Sequence, residues 1–306
     1  MISFDKNSDV IQILAPASRA HGNQSLLLIE QGIKMLQDCG FNAYASRGII
    51  SKEPHLFYAA SLEERLADFL QALTNPQVKI LWALRGGYGS CEVANMLLDF
   101  KITSPKILIG FSDITSMHIL FNQFFKLPSI HANNITSCLK YPDSLLPILN
   151  MLDGKILPLD LTPLNDAAID HLAITGVITG GNLKVLTTLI GTPLAADFND
   201  KILILEDVNE PGYAVMRDLM HLKYAGLLCG LKAIIFGDFC LEESQAPRTN
   251  KNSGQDQSYL RQVLHSFSQN LQIPAFKTLG FGHGPVNLPV LLGSGAKIMH
   301  NSLISL

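Results

Sequence analysis

The chain has 306 residues, 47% hydrophobic and 16% charged, with a formal net charge of −3. That length exceeds what one ordinary core organises and fits two domains, and the apolar fraction argues against disorder. With no basic surplus, neither nucleic acid nor an anionic membrane is an expected partner.

In chain order, Val10–Leu14 is a short apolar β-like run that ends at Ala15-Pro16-Ala17-Ser18. Residues 24–39 have helical spacing (Leu26, Leu27, Ile29, Ile33, Leu36) and stop at Gly40, a C-cap residue. Residues 41–46 read as a strand. Ser61-Leu62-Glu63-Glu64 is a capping box opening a helix to about residue 73, and Asn75-Pro76 ends it. Residues 78–84 (VKILWAL) form a continuous apolar run, as in a strand buried on both faces, and lead straight into Arg85-Gly86-Gly87-Tyr88-Gly89. A helix pattern follows over 92–100, then a second buried strand over 106–109. That strand breaks at Gly110-Phe111-Ser112-Asp113, before another helix pattern over 114–125. The repeated strand–turn–helix rhythm predicts a parallel α/β sheet.

The pattern loosens over 159–171, where a domain boundary is expected: 1–160 as an α/β domain and 172–306 as a smaller β-rich domain. The second half carries strands at 202–205 and 233–236, a helix after Asn182, another near 213–224, and a Gly-rich, strand-like end over 276–304. A barrel-like domain fits. The polar stretch 242–257 reads as a mobile surface loop.

Five cysteines (Cys39, Cys91, Cys138, Cys229, Cys240) are scattered, odd in number and never form CxxC. Reduced, buried thiols are expected rather than a disulfide framework or a zinc site, and no metal or cofactor is called for. The N-terminus lacks a charged region followed by an apolar one. No apolar run reaches the roughly 18–20 residues of a membrane span. A cytoplasmic protein that does not engage the membrane is therefore expected.

Ser112 stands between a buried strand and a helix, where a sharp turn lifts a hydroxyl above the sheet edge. The residues fit two readings, a nucleophile elbow or a helix cap. Ligands in open α/β sheets bind outside the carboxyl ends of strands. The 85–89 loop and the Ser112 turn should therefore open onto one crevice, with the N–H groups of Asp113 and Gly87 as oxyanion donors. Starting G-x-G-x-x-G at Gly87 puts Glu92 where the last glycine belongs, so a nucleotide loop fits poorly. Among the histidines, His118 falls in an apolar helix and His21, His55, His171 and His300 have no suggestive context. His283, in Gly280-Phe281-Gly282-His283-Gly284, sits in a shaped loop as either a base or a surface residue. The strand at 202–205 ends in Glu206-Asp207, which could orient a base or simply meet solvent.

Taken together, RGGYG (85–89), GFSDIT (110–115), GGNL (180–183), LEDVNEPGY (205–213) and GFGHG (280–284) resemble the L,D-carboxypeptidase family of serine peptidases, which also contains the microcin-immunity peptidases. APAS (15–18), Glu64-Arg65 and FGDF (236–239) match as well, so the resemblance spans nearly the whole chain. It implies a Rossmann-like parallel α/β domain followed by a β-rich one, and a homodimer. It also implies a triad of Ser112 as nucleophile, Glu206 as orienting acid and His283 as base, split across a domain cleft. The implied substrate is a murein tetrapeptide that loses its terminal D-alanine in peptidoglycan recycling. Arg85 is the cation nearest in sequence for the terminal carboxylate, with a buried ion pair supporting the loop as its other reading. His131-Ala132-Asn133-Asn134 replaces the His-Gly-Pro-Met of many relatives, and Met216-Arg217 their Asp-Arg, changes that would alter a pocket wall. Two other readings compete: an immunity-type peptidase that cleaves a peptidyl-nucleotide antibiotic, and a non-catalytic α/β small-molecule binder.

Overall fold

Apolar runs and glycine-rich turns alternate along the first half because the central strands are buried on both faces and each helix must fold back over the sheet. The computed structural model describes residues 4–6, 8–19, 25–46, 49–50, 56–169, 173–240, 253–284 and 286–305, with backbone alone over 253–257. His21, His55 and His171 lie outside the described residues, as do 242–252 of the polar stretch. The chain divides into two compact units, Met1–Lys155 and Ile156–Leu306.

The first unit runs β1 (Val10–Leu14), α1 (Ser25–Asp38), β2 (Asn42–Ala45), α2 (Leu62–Thr74), β3 (Val78–Ala83), α3 (Ser90–Met96), β4 (Ile107–Gly110), α4 (Thr115–Ile119), β5 (Ser129–His131), α5 (Ile135–Lys140) and α6 (Leu145–Leu152). Its strands pair in the order β5-β4-β3-β1-β2, all parallel. The order reverses between β1 and β3, which places the switch point where APAS and RGGYG emerge. Trp82 on β3 is fully buried and donates its indole N–H to the Asn133 carbonyl at 2.9 Å. The capping box is present: the Glu64 N–H donates to Ser61 Oγ (3.2 Å), and the Ser61 N–H to Glu64 Oε2 (2.9 Å). The helix expected over 114–125 is broken into pieces. A 3-10 turn (Ser112–Ile114) enters α4, and Leu120–Phe124 is π-helical.

The second unit runs β6 (Leu159–Asp160), β7 (Thr162–Pro163), α7 (Asp166–Ile169), β8 (Ile174–Asn182), α8 (Leu183–Thr188), β9 (Lys201–Val208), α9 (Gly212–Tyr224), β10 (Ala233–Cys240), α10 (Ser253–Gln269), β11 (Ala275–Gly282), β12 (Val290–Leu292), β13 (Gly295–Met299) and β14 (Ser302–Ser305). Its sheet has the order β6-β14-β13-β8-β9-β10-β11-β7, and β6 also packs against β11, so the sheet curls toward a barrel. The described part of the segment taken above as a boundary, 159–169, lies inside this unit, which begins at Ile156. Leu159, Leu161 and Ala168 are buried in its core with Ile204, Ile235 and Phe281. The unit is thereby close to the first in length. The polar stretch does not stay a loop to its end, since α10 begins at Ser253.

All five cysteines are free. Only Cys138 is buried, and Cys229 is exposed, against the expectation of buried thiols. Among the described residues no helix is long and apolar enough to cross a membrane.

Candidate active site

β4 ends at Gly110 and Phe111 remains extended, with φ −153°. Ser112 then turns into the left-handed region at φ 65°. For a residue with a Cβ this conformation costs roughly 1–2 kcal/mol and persists only where its surroundings impose it. Those surroundings are visible. The Phe111 N–H donates to Asn134 Oδ1 (3.2 Å), and Thr115 Oγ1 donates to the Ser112 carbonyl (2.7 Å). The Gly110 carbonyl accepts from the Ala132 N–H (3.0 Å) and lies 3.0 Å from His118 Nε2. Burial, reinforced by His131, lowers the His118 pKa to about 3, so the ring is neutral. A carbonyl only accepts, so Nε2 carries the proton and Nδ1 accepts from Ser129 Oγ at 2.8 Å. Neither Ser112 nor Asp113 caps the following helix with its side chain. The Asp113 carboxylate instead accepts from the Ser90 N–H at the start of α3 (2.9 Å), and burial raises its pKa.

The 85–89 loop packs against this turn. A Cβ on Gly86 would lie 2.9 Å from Ser112 Cβ and 3.1 Å from its Oγ, so glycine leaves room for the hydroxyl. Gly87 has φ 109°, and a Cβ there would land on Ser18 Oγ. Ser18 Oγ accepts from the Tyr88 N–H (3.0 Å), and the Ser18 N–H donates to the Gly86 carbonyl (3.3 Å), tying APAS to RGGYG across the switch point. Arg85 is half-buried, its pKa lowered by burial, and donates to the Arg19 carbonyl at 2.7 Å. Among the described residues it has no carboxylate partner. The ion pair beneath the loop belongs to the buried Arg65, which meets the partly exposed Glu92 at 2.6 Å and donates to the Pro16 and Gly89 carbonyls, each at 2.8 Å.

The acid and the imidazole come together in the second unit. Glu206 lies near the end of β9 with no exposed surface, and its Oε2 is 2.5 Å from His283 Nδ1. His283 follows the last residue of β11, Gly282, which has φ 125° and donates its N–H to Asn287 Oδ1 at 3.1 Å. Strand alternation turns Asp207 the other way. Asp207 accepts from Asn182 Nδ2 (2.9 Å) and the N–H groups of Lys184 (3.0 Å) and Val208 (2.8 Å). Burial and the neighbouring Glu206 raise its pKa to about 7. Of the two acids left open by the sequence, Glu206 is the one on the imidazole. A carboxylate on Nδ1 fixes the ring and stabilises its protonated form, which suits Nε2 to general-base work.

The departures at Ala132, Asn133 and Asn134 are all buried and hydrogen-bond to the residues around the Ser112 turn and to Trp82; Met216 is half-buried on α9. Sequence reasoning missed His118, Asn134, Asn182 and Arg65 as supporting residues. Only Asn182 carried a local sign, as the residue that caps α8 by accepting from the Val185 N–H (3.1 Å).

Residues 11–132 match the LD-carboxypeptidase N-terminal domain and residues 175–298 the LD-carboxypeptidase C-terminal domain. A Rickettsia conorii protein is 36% identical over 94% of this chain and 87% of its own. The murein tetrapeptide carboxypeptidase of Pseudomonas aeruginosa is 28% identical, over 96% of this chain and 94% of its own. The crystal structure of the Oxalobacter formigenes muramoyltetrapeptide carboxypeptidase superposes with a TM-score of 0.75 at 26% identity, covering 96% of this chain and 98% of that one. Matched in both halves and along nearly its full length, the chain belongs to the LD-carboxypeptidase family.

Proposed function

We propose that this protein is a serine-type L,D-carboxypeptidase that removes the terminal D-alanine from murein tetrapeptide, with Ser112, His283 and Glu206 as its triad. The observation that carries the reading is the left-handed Ser112 turn, held by buried hydrogen bonds that a simple helix cap would not need. The Glu206–His283 pair supplies the matching base.

In the proposed reaction His283 Nε2 takes the proton from Ser112 Oγ, which attacks the carbonyl on the L side of the scissile bond. The N–H groups of Asp113 and Gly87 donate to the developing oxyanion, and one such donor is worth about 3–4 kcal/mol in comparable enzymes. The tetrahedral centre collapses, the D-alanine amine leaves with the proton from His283, and water releases the acyl group by the same route in reverse. Arg85, which has no carboxylate partner among the described residues, receives the terminal carboxylate in a bidentate fork.

Incubation with L-Ala-D-Glu-meso-diaminopimelate-D-Ala, followed by mass spectrometry, tests the reading. Release of one D-alanine is expected, with loss of turnover in Ser112→Ala and a raised KM in Arg85→Ala. An intact tetrapeptide, or full turnover by Ser112→Ala, overturns it. Cleavage of a peptidyl-nucleotide in place of the tetrapeptide would identify an immunity-type peptidase instead.

A further inference from the structure

A second acid reaches the histidine loop. Asp238 lies near the end of β10, where register shifts against β9 between Phe236 and Phe239 and against β11 between Phe236 and Asp238. The irregularity sets Asp238 opposite Gly282. A Cβ on Gly282 would stand 3.0 Å from Glu206 Cβ and 2.8 Å from the Asp238 carbonyl oxygen. A Cβ on Gly284 would land on Asp238 Oδ2 itself. The two glycines beside His283 are therefore small because the loop is pressed between an acid on β9 and an acid on β10.

Glu206 is committed to the imidazole through Nδ1. Asp238 is half-buried, and among the described residues its carboxylate has neither a hydrogen bond nor an ion pair. Its charged surroundings are His283, Glu206 and, from α10, the exposed Arg261. Asp207, the remaining acid of β9, is turned away to Asn182 and the start of α8. Burial raises the Asp238 carboxyl pKa, while His283 lowers it. That coupling is reciprocal: an anion favoured by the imidazolium in turn favours the imidazolium.

We propose that Asp238 is a positioning residue for His283, a second anion beside the imidazole that holds up its basicity while Glu206 fixes its orientation. In the reaction proposed above, the proton moves from Ser112 Oγ to His283 Nε2 as the Oγ–carbon bond forms, and then passes to the leaving amine. Asp238 stabilises the cation that exists between those two transfers and exchanges no proton itself. The role rests on the triad reading, and its test separates the two.

Titration of His283 in the full-length protein, by NMR of labelled histidine, compares wild type with Asp238→Asn and Arg261→Gln. In Asp238→Asn the His283 pKa should fall, by up to about one unit, as expected when a neighbouring opposite charge is removed. The acidic limb of kcat/KM on the tetrapeptide should move to lower pH by the same amount. Arg261→Gln removes an exposed cation and should move the His283 pKa up by a smaller step, which tests the assignment even if Asp238→Asn does not fold. A His283 titration unchanged in the folded variants would overturn the role of Asp238. A shifted titration in a protein that leaves the tetrapeptide intact would overturn the substrate reading and leave the role of Asp238 standing.

Discussion

At the scale of single residues, the site depends on atoms that are missing as much as on those present. Gly86 has no Cβ where Ser112 needs room, with a virtual atom only 2.9 Å from Ser112 Cβ. Gly86 has ordinary backbone angles, so Gly86→Ala adds no left-handed strain and acts through crowding alone. It should push the hydroxyl by a few tenths of an ångström or more and lower kcat/KM on the tetrapeptide by up to roughly 100-fold, the cost of a misplacement of about 1 Å. The same variant should melt within a few degrees of wild type, so parallel kinetics and calorimetry check it. From sequence alone Ser112 was as much a cap as a nucleophile. The sign of its φ speaks against the cap, because a cap residue keeps extended angles and this serine does not. Asn134, one of the departures from the family pattern, is the acceptor that pins the residue before Ser112.

At the scale of elements, the expected strands and helices formed where local pattern was strong, and the differences mark where tertiary contacts overrode it. The helix after Ser112 is the clearest case: an apolar run that reads as one helix starts as a 3-10 turn and ends π-helical. Lys106, immediately before β4, shows how elements are joined. It is fully buried and donates to the carbonyls of Asn75 (2.6 Å), at the end of α2, and Val78 (2.5 Å), at the start of β3. Burial, helped by Lys79 and opposed by Asp9, lowers its pKa to about 8. A lysine depressed on folding is protonated more readily in the unfolded chain between that value and its ordinary one near 10.4, so stability rises with pH across that window. The urea midpoint of the wild-type protein should therefore rise from pH 8 to pH 10, more than that of Lys106→Met.

At the scale of the whole molecule, the proposed nucleophile belongs to the first unit and the acid–imidazole pair to the second. If the three act as a triad, the reactivity of Ser112 must depend on a residue of the other unit. Labelling of Ser112 by a fluorophosphonate, followed by intact-mass spectrometry, should slow by roughly 10²–10⁴-fold in His283→Ala, the usual contribution of a general base. An unchanged labelling rate would break the triad. The sequence by itself determined the alternation of strand and helix, the loops that carry chemistry and the order in which they occur, because these follow from hydrophobic period, turn residues and short motifs. Tertiary structure alone decided that Ser112 turns left-handed and that Asp238 lies opposite Gly282, and it put Glu206, the acid the family resemblance had singled out, rather than Asp207 on His283. The physical reason is sequence separation: Glu206 and His283 lie 77 residues apart, and which acid faces the imidazole depends on strand register, where a slip of one residue turns every side chain to the opposite face.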